Sequence, residues 1–316
     1  MKDKMKHLSN CPCCGSKDIK EEFRNLWDKS YFVEGKFSIV ICSNCRLEFL
    51  NPSLTEKELG KYYPVEEYYS FYDYNKLALK YHKISAKFHS KRNKILSFLM
   101  KPLSPLMYTY HLRKGKNILE IGCGNGMQLE IYRRYGMKTC GLEPYGPELT
   151  EKEIKLGIKR ESTDKAKFQN ETFDYIILKE VLEHVPDQDK ILKKCRDWIK
   201  KDGKIVVTVP NTKSIWRNIF KDCWFGYDVP RHLYNYNPKN ISMMLKKNGL
   251  KVDKIRTYDT PYMLDGSLKF WLVKKTGKKD HNFVFSNFSK ILLTPVSLVV
   301  SYLGVGSLME LECSRI

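Results

Sequence analysis

The sequence predicts an α/β fold: a parallel sheet with helices on both faces, preceded by a small N-terminal metal-binding module and a helical lead-in. Three observations predict it. From Lys116 onward, short apolar runs (NILEIG, KTCGLE, FDYIIL and GKIVVTVP) alternate with helical stretches at intervals of roughly 25–35 residues, the pattern of βαβ units. The run ILEIGCGNG at 118–126 carries a glycine-rich turn straight after the first apolar run. Two C-x2-C doublets stand near the N-terminus.

The doublets open the chain. Cys11 and Cys14, then Cys42 and Cys45 after a gap of 27 residues, have the spacing of two knuckles that aim four thiolates at one tetrahedral zinc. Gly15 supplies a permissive backbone after the first knuckle, and Cys13 is left over. The intervening FRNLW and FSIVIC have the aromatic and β-branched content of short strands. Four sulfur ligands leave no open position for water, so the expected zinc is structural. Residues 1–51 are read as this module, 52–115 as a helical linker or lid, and 116–316 as the α/β domain.

The linker holds the most lopsided charge in the chain. Between Asp73 and Glu120 there is no acidic residue but there are eleven basic ones. Lys76, Lys80, Lys83, Lys87, Lys91 and Lys94 line one face of a helix expected at about 75–100, beside an apolar stripe of Leu77, Tyr81, Ile84, Phe88, Ile95 and Leu99. Pro102 and Pro105 end it. The formal charge of +20 makes an acidic partner plausible: nucleic acid, an anionic membrane surface or a phosphorylated substrate.

Strands are expected near 116–121, 137–143, 173–178 and 203–209, with a weaker one at about 158–162 and a helix beginning at about Met127. ISMMLKKNGLKVDKIRTYD reads as helix then strand, and SLMELECSRI as a final strand. The turn glycines fall at 122, 124 and 126. A dinucleotide fingerprint would need its third glycine at position 127, which is Met127. The second strand ends in Gly141-Leu142-Glu143-Pro144, and an acidic residue at that tip can accept hydrogen bonds from ribose hydroxyls. Together these point to an adenosine-type ligand without a pyrophosphate. FDYIILKEVLEHVPD then brings Lys179, Glu180 and His184 just beyond the carboxyl end of a strand, where open α/β sheets bind ligands.

With these motifs assembled, the sequence resembles the class I S-adenosylmethionine-dependent methyltransferases. LEIGCGNG is similar to their first motif, LEPYG to their acidic second motif and FDYIILKEVLEHVPD to their strand-four motif; residues 228–250 resemble the later part of the group. Members with an N-terminal four-cysteine module are associated with sugar, surface-polysaccharide or natural-product methylation. The resemblance implies a Rossmann-like sheet and S-adenosylmethionine as cofactor. It implies that Glu120, Gly122, Gly124 and Gly126 shape the cofactor loop and that Glu143 holds the ribose. Ser162 and Thr163 would edge the adenine, and Lys179 and Glu180 the methionyl end. Tyr68, Tyr69 or Tyr72 would close over the cofactor or pack.

Methyl transfer to a hydroxyl needs an aligned nucleophile and a base, a role that suits histidine. His184 or His232 is the expected base, with Arg231 and Tyr234 contacting an acidic or hydroxylated substrate. The expected reaction is therefore O-methylation of a small-molecule or saccharide acceptor, with C- or N-methylation as the alternatives and phosphorylated or lipid-linked acceptors included. RNA is the weaker partner, because KEVLEHVP is not the motif that holds a flipped base. A zinc-stabilised interaction protein without turnover is the non-enzymatic alternative. The N-terminus lacks a signal-peptide core, and Ile291 to Met309 is apolar but broken by Pro295, Gly304 and Gly306. The ten cysteines therefore read as reduced thiols or ligands in a cytoplasmic protein; 291–303 reads as a core helix preceding the last strand, with peripheral contact at the inner membrane surface through it and the basic helix as the alternative.

Overall fold

The structure is a computed structural model that describes residues 5–63, 113–278 and 287–316. The lysine-lined helix expected at about 75–100, and with it Tyr68, Tyr69 and Tyr72, lies outside these residues.

The N-terminal part folds as a small antiparallel sheet of β1 (Ile19–Leu26), β2 (Phe37–Cys42) and β3 (Glu48–Leu50). The two cysteine knuckles flank it and share one backbone device. The residue after each doublet is left-handed, Gly15 at φ +74° and Arg46 at φ +62°, and the turns close through Gly15 N–H to Cys11 O and Arg46 N–H to Cys42 O. A short helix, α1 (Glu56–Leu59), follows behind a Thr55–Glu58 capping box.

The large sheet begins with β4 (Asn117–Ile121), α2 (Met127–Arg134), β5 (Lys138–Leu142), α3 (Glu151–Leu156) and β6 (Ile158–Lys159). It continues through β7 (Phe173–Lys179), α4 (Gln188–Trp198) and β8 (Ile199–Pro210). These strands form where the apolar runs predict them, because a strand covered by helices on both faces must be apolar on both. After α5 (Ile215–Phe220) and β9 (Tyr234–Asn235) come α6 (Pro238–Lys247), β10 (Leu250–Tyr258), α7 (Pro261–Thr276), α8 (Asn287–Tyr302) and β11 (Leu308–Arg315).

The seven strands lie in the order β10-β11-β8-β7-β4-β5-β6. β4 through β8 pair in parallel, but β11 inserts antiparallel between β8 and β10, so the sheet is mixed rather than all parallel. From β4 the chain steps to β5 on one side and later to β7 on the other. That reversal opens a crevice outside the carboxyl ends of these strands, the place where such sheets bind ligands.

The N-terminal sheet is not self-contained. Its fourth strand is β9, supplied by the catalytic part, and one continuous apolar core runs from Cys11 and Leu47 to Leu119 and Ile176. Arg217 reaches Glu22 at 2.5 Å and Glu48 at 2.7 Å, and Arg231, wholly buried, pairs with Asp28 at 2.8 Å and Asp228 at 2.7 Å.

Helix α8 is turned inside out. Ser289, Ser297 and Ser301 face the protein, while Phe288, Ile291, Leu292, Val296, Val299 and Tyr302, with Leu303 just beyond, face outward; Ile291 is 73% exposed and Leu303 68%. Among the described residues no helix is long and apolar enough to cross a membrane.

Candidate active site

A cavity of about 520 Å³ opens at the carboxyl ends of β4, β5 and β7. Its floor is the glycine turn. Gly122, Gly124 and Gly126 have φ of +70°, +53° and +78°, and a Cβ on Gly122 would stand 2.4 Å from Val181 Cγ2. Gly122 and Gly124 line the cavity, while Gly126 caps α2 against Ile158.

Glu143 stands at the tip of β5, almost fully buried. Its Oε2 accepts the Gly124 N–H at 3.0 Å and its Oε1 the Tyr145 N–H at 3.1 Å. Burial raises its carboxyl above the usual value and these N–H donors oppose the rise. A carboxylate offers about four lone-pair sites, so acceptor capacity remains toward the cavity. Glu120, in the middle of this wall, is pushed up to about 8 by burial, with Lys179 pulling the other way. Its Oε2 is buried without a hydrogen-bond partner among the described residues.

Beside β6, Ser162 and Thr163 line the cavity, joined by Asp164, whose carboxylate meets Lys190 Nζ at 2.6 Å. At the other end stand Lys179, Glu180 and His184. Glu180 holds a left-handed φ of +53°, pinned by its N–H to Thr208 O at 2.8 Å. Non-glycine residues in that region cost about 1–3 kcal/mol and cluster at functional sites.

The two expected bases separate. His184 lines the cavity; its Nδ1 lies 3.1 Å from Arg231 O and 2.9 Å from the Tyr63 hydroxyl. Burial lowers its pKa to about 3, helped by the neighbouring His232. His232 packs edge-on behind it with ring centroids 4.6 Å apart, donates from Nδ1 to Gly226 O at 2.7 Å, and does not line the cavity. Burial lowers the His232 pKa as well.

Arg231 and Tyr234, expected to touch the acceptor, are placed elsewhere. Arg231 spends its donors on Asp28, Asp228 and Tyr62 O, and Tyr234 donates its hydroxyl to Pro186 O at 3.1 Å inside the core. Neither lines the cavity. In their stead are two tyrosines to which the sequence reading gives no role, although Tyr145 lies within LEPYG. Tyr63 stacks on Tyr145 with centroids 5.4 Å apart and planes within 9°, roofing the cavity beside Glu143. The only sequence signals were position: Tyr145 two residues past Glu143, Tyr63 in an aromatic cluster.

Near the N-terminus, the sulfurs of Cys11, Cys14, Cys42 and Cys45 lie within 4.8 Å of one another, with Cys11–Cys45 at 3.5 Å and Cys14–Cys42 at 3.6 Å. Zn–S bonds of about 2.3 Å in a tetrahedron put sulfurs roughly 3.8 Å apart, so the four fit one zinc. Cys13 turns away, its thiol toward Asn240 O.

Comparison with known proteins places these features. Residues 88–255 match a family model described as a methyltransferase domain. The mitochondrial ubiquinone biosynthesis O-methyltransferase of Bos taurus is 26% identical over 164 residues, 45% of this chain and 43% of that one. The ubiquinone biosynthesis O-methyltransferase of Chelativorans sp. is 30% identical over 157 residues, 46% of this chain and 62% of that one. The chain thus spans about half the length of these curated relatives. Among solved structures, a SAM-dependent methyltransferase from Archaeoglobus fulgidus aligns with 74% of this chain and 99% of its own at 19% identity and a TM-score of 0.42. A Burkholderia thailandensis 1,6-didemethyltoxoflavin-N1-methyltransferase aligns with 90% of this chain and 98% of its own at 11% identity and a TM-score of 0.44. With the family model covering more than half of the residues and the glycine turn, Glu143 and the seven-stranded sheet in place, the chain belongs to the methyltransferase-domain family, as a class I S-adenosylmethionine-dependent member.

Proposed function

We propose that this protein transfers a methyl group from S-adenosylmethionine to a hydroxyl of a small-molecule or saccharide acceptor. The observation that carries the reading is one cavity with two differently equipped ends. Glu143, with main-chain N–H groups on both oxygens, suits ribose hydroxyls at one end. The buried, unpartnered Glu120 oxygen suits the cofactor's ammonium near the other, where Lys179, Glu180 and His184 stand. The bound cofactor supplies an electrophilic methyl carbon on a sulfonium. The acceptor oxygen forms the new bond to that carbon, the carbon–sulfur pair stays on sulfur, and the hydroxyl proton leaves to His184 or Glu180. His184 is favoured over His232 as the group beside the acceptor because it alone of the two lines the cavity. The names of the relatives, O-methyltransferases of ubiquinone biosynthesis, support a hydroxyl acceptor. Incubation with methyl-labelled cofactor and panels of phenols, nucleotide sugars, lipid-linked sugars and RNA is expected to label a hydroxyl of a non-nucleic acceptor. Label in RNA alone overturns the reading.

The four-cysteine cluster is proposed to hold a structural zinc, since four sulfurs at tetrahedral spacing leave no open position. An acceptor presented at an anionic lipid surface is also proposed. The outward face of α8 carries Phe288, Ile291, Leu292, Val296, Val299, Tyr302 and, next to the helix, Leu303. From Ile291 to Met309 there is no charged residue, Lys290 stands in the first turn of α8, and α7, which packs against α8, ends in Lys274, paired with Asp222, and Lys275. Apolar side chains with lysines on neighbouring turns complement acidic headgroups over a shallow apolar layer. The protein is expected to sediment with phosphatidylcholine vesicles containing phosphatidylglycerol, less so at high salt. The exposed triple change Ile291→Ser, Leu292→Ser and Leu303→Ser should release it. Wild-type protein left in the supernatant, or a dimer that the triple change abolishes, assigns the face otherwise.

A further inference from the structure

We infer that Arg160 is a positioning residue for the cofactor: it straps the loop after β5 around Glu143 and supplies that buried carboxylate with a counter-charge. The inference rests on the reading that Glu143 holds the ribose.

β5 and β6 pair in parallel, and the Glu143 N–H donates to Lys159 O at 3.1 Å, so Arg160 is the next residue along the neighbouring chain. Residues 144–149 then cross from Glu143 toward α3 outside any helix or strand. Pro144 and Pro147 have no N–H to give, which removes two main-chain donors from this loop. Among the described residues two side chains hold it. Glu143 Oε1 accepts the Tyr145 N–H at 3.1 Å, and Arg160 Nε donates to Pro147 O at 2.8 Å. A second arm of the guanidinium, Nη2, donates to Glu153 Oε1 at 3.3 Å, while Glu153 Oε2 accepts the Thr150 N–H at 2.7 Å in the capping box of α3. One planar fork thus ties the middle of the loop to the helix that follows it.

The loop matters to the cofactor because of what it holds. Pro144 and Tyr145 line the cavity beside Glu143, and the Tyr145 ring is half of the roof, stacked on Tyr63. A loop cut free of Arg160 would carry the roof and one anchor of Glu143 away together. Arg160 itself does not line the cavity, so it acts through these groups.

Charge is the second contribution. Around Glu143 stand Glu120 on β4, Cys123 in the glycine turn and Tyr145 on the loop, with Glu56 of α1 and Glu161 after β6 on the cavity walls. Burial raises the Glu143 carboxyl, the N–H groups of Tyr145 and Gly124 oppose the rise, and the Arg160 charge adds to them. Arg160 Nη1 is buried without a hydrogen-bond partner among the described residues, so part of the guanidinium charge is not answered by direct contact. Burial keeps the Cys123 thiol and the Tyr145 phenol protonated and pushes Glu120 up to about 8. Below pH 7 these three therefore stay neutral while Glu143 takes up its proton. A protonated Glu143 loses acceptor capacity for the ribose, and removing the Arg160 charge brings that loss on at higher pH.

The test titrates the full chain calorimetrically with 5′-methylthioadenosine, which keeps adenine and ribose but lacks the ammonium and so does not read Glu120. Affinity is measured at pH 7 and pH 5, with circular dichroism to show that each variant is folded. Wild-type affinity is expected to fall between the two. Arg160→Lys keeps the charge but not the fork; it should bind about tenfold more weakly at pH 7, the worth of one charge-assisted hydrogen bond, with the wild-type ratio between the two pH values. Arg160→Gln should be weaker at pH 7 and lose more than wild type on going to pH 5, a change that a purely structural strap would not produce. Wild-type affinity in Arg160→Gln, or a wild-type pH ratio in it, overturns the inference. The ribose reading fails separately, through Glu143→Gln binding 5′-methylthioadenosine as tightly as wild type.

Discussion

Replacing Gly124 with arginine is expected to remove detectable S-adenosylmethionine binding in a calorimetric titration while leaving the protein folded. Gly124 sits at φ +53° in the turn after β4, and its N–H holds Glu143 Oε2 at 3.0 Å. A side chain there must adopt a left-handed backbone, costing about 1–2 kcal/mol. The larger effect is steric, since the arginine would project from a residue that lines the 520 Å³ cavity. Loss of the Glu143 anchor adds to it. Each 1.4 kcal/mol is about tenfold in affinity, so strain, steric exclusion and misplacement together exceed roughly 100-fold. His232→Asn is the matched control: His232 stands behind the cavity wall, and cofactor affinity should stay near wild type. Wild-type affinity in Gly124→Arg would show that this cavity is not where the cofactor binds.

Arg231→Leu is expected to cost about 3–5 kcal/mol of stability, read from urea denaturation midpoints at constant slope. The guanidinium is fully buried, with Asp28 on one side and Asp228 on the other, and it also lies over the ring of Tyr31 at 4.7 Å from its centroid. Removing it leaves two carboxylates in the interior without a cation, an arrangement far costlier than losing a surface pair. The comparison is Lys204→Ala, which breaks a half-exposed pair with Asp253 and should cost less than about 1 kcal/mol. The pH dependence has a definite sign. Burial alone would raise the Asp228 carboxyl, but Arg231 outweighs it and holds the group well below the usual carboxylate range. A depressed folded value means stability that is present above the unfolded pKa of about 3.9 and lost as pH falls below it. Arg231→Leu should abolish that acid-side loss. A cost no greater than that of Lys204→Ala would remove Arg231 as the clamp between the N-terminal sheet and the catalytic part.

The glycine turn and Glu143 were legible because their chemistry is local. A tight turn needs glycine at particular positions, and a carboxylate at the tip of the adjacent parallel strand lies beside it in any sheet of this kind. The cysteine knuckles were legible for the same reason: a two-residue spacer fixes both thiolates of a pair. Arg231 shows the limit. In the string PRHLY an arginine beside a histidine reads as a substrate contact, and nothing nearby reveals that Asp28, about 200 residues earlier, will bury it.

The residues by themselves thus determined the α/β class, the positions of the central strands, the glycine turn and the clustering of four cysteines. Each follows from period, backbone permissiveness or short spacing, which are properties of neighbouring residues. Tertiary structure alone decided that β11 enters antiparallel between β8 and β10, that β9 completes the N-terminal sheet, and that α8 turns its apolar side outward. It also decided which histidine lines the cavity and which supports it from behind. These depend on contacts between segments far apart in the chain, whose register and burial are set by packing over the whole core.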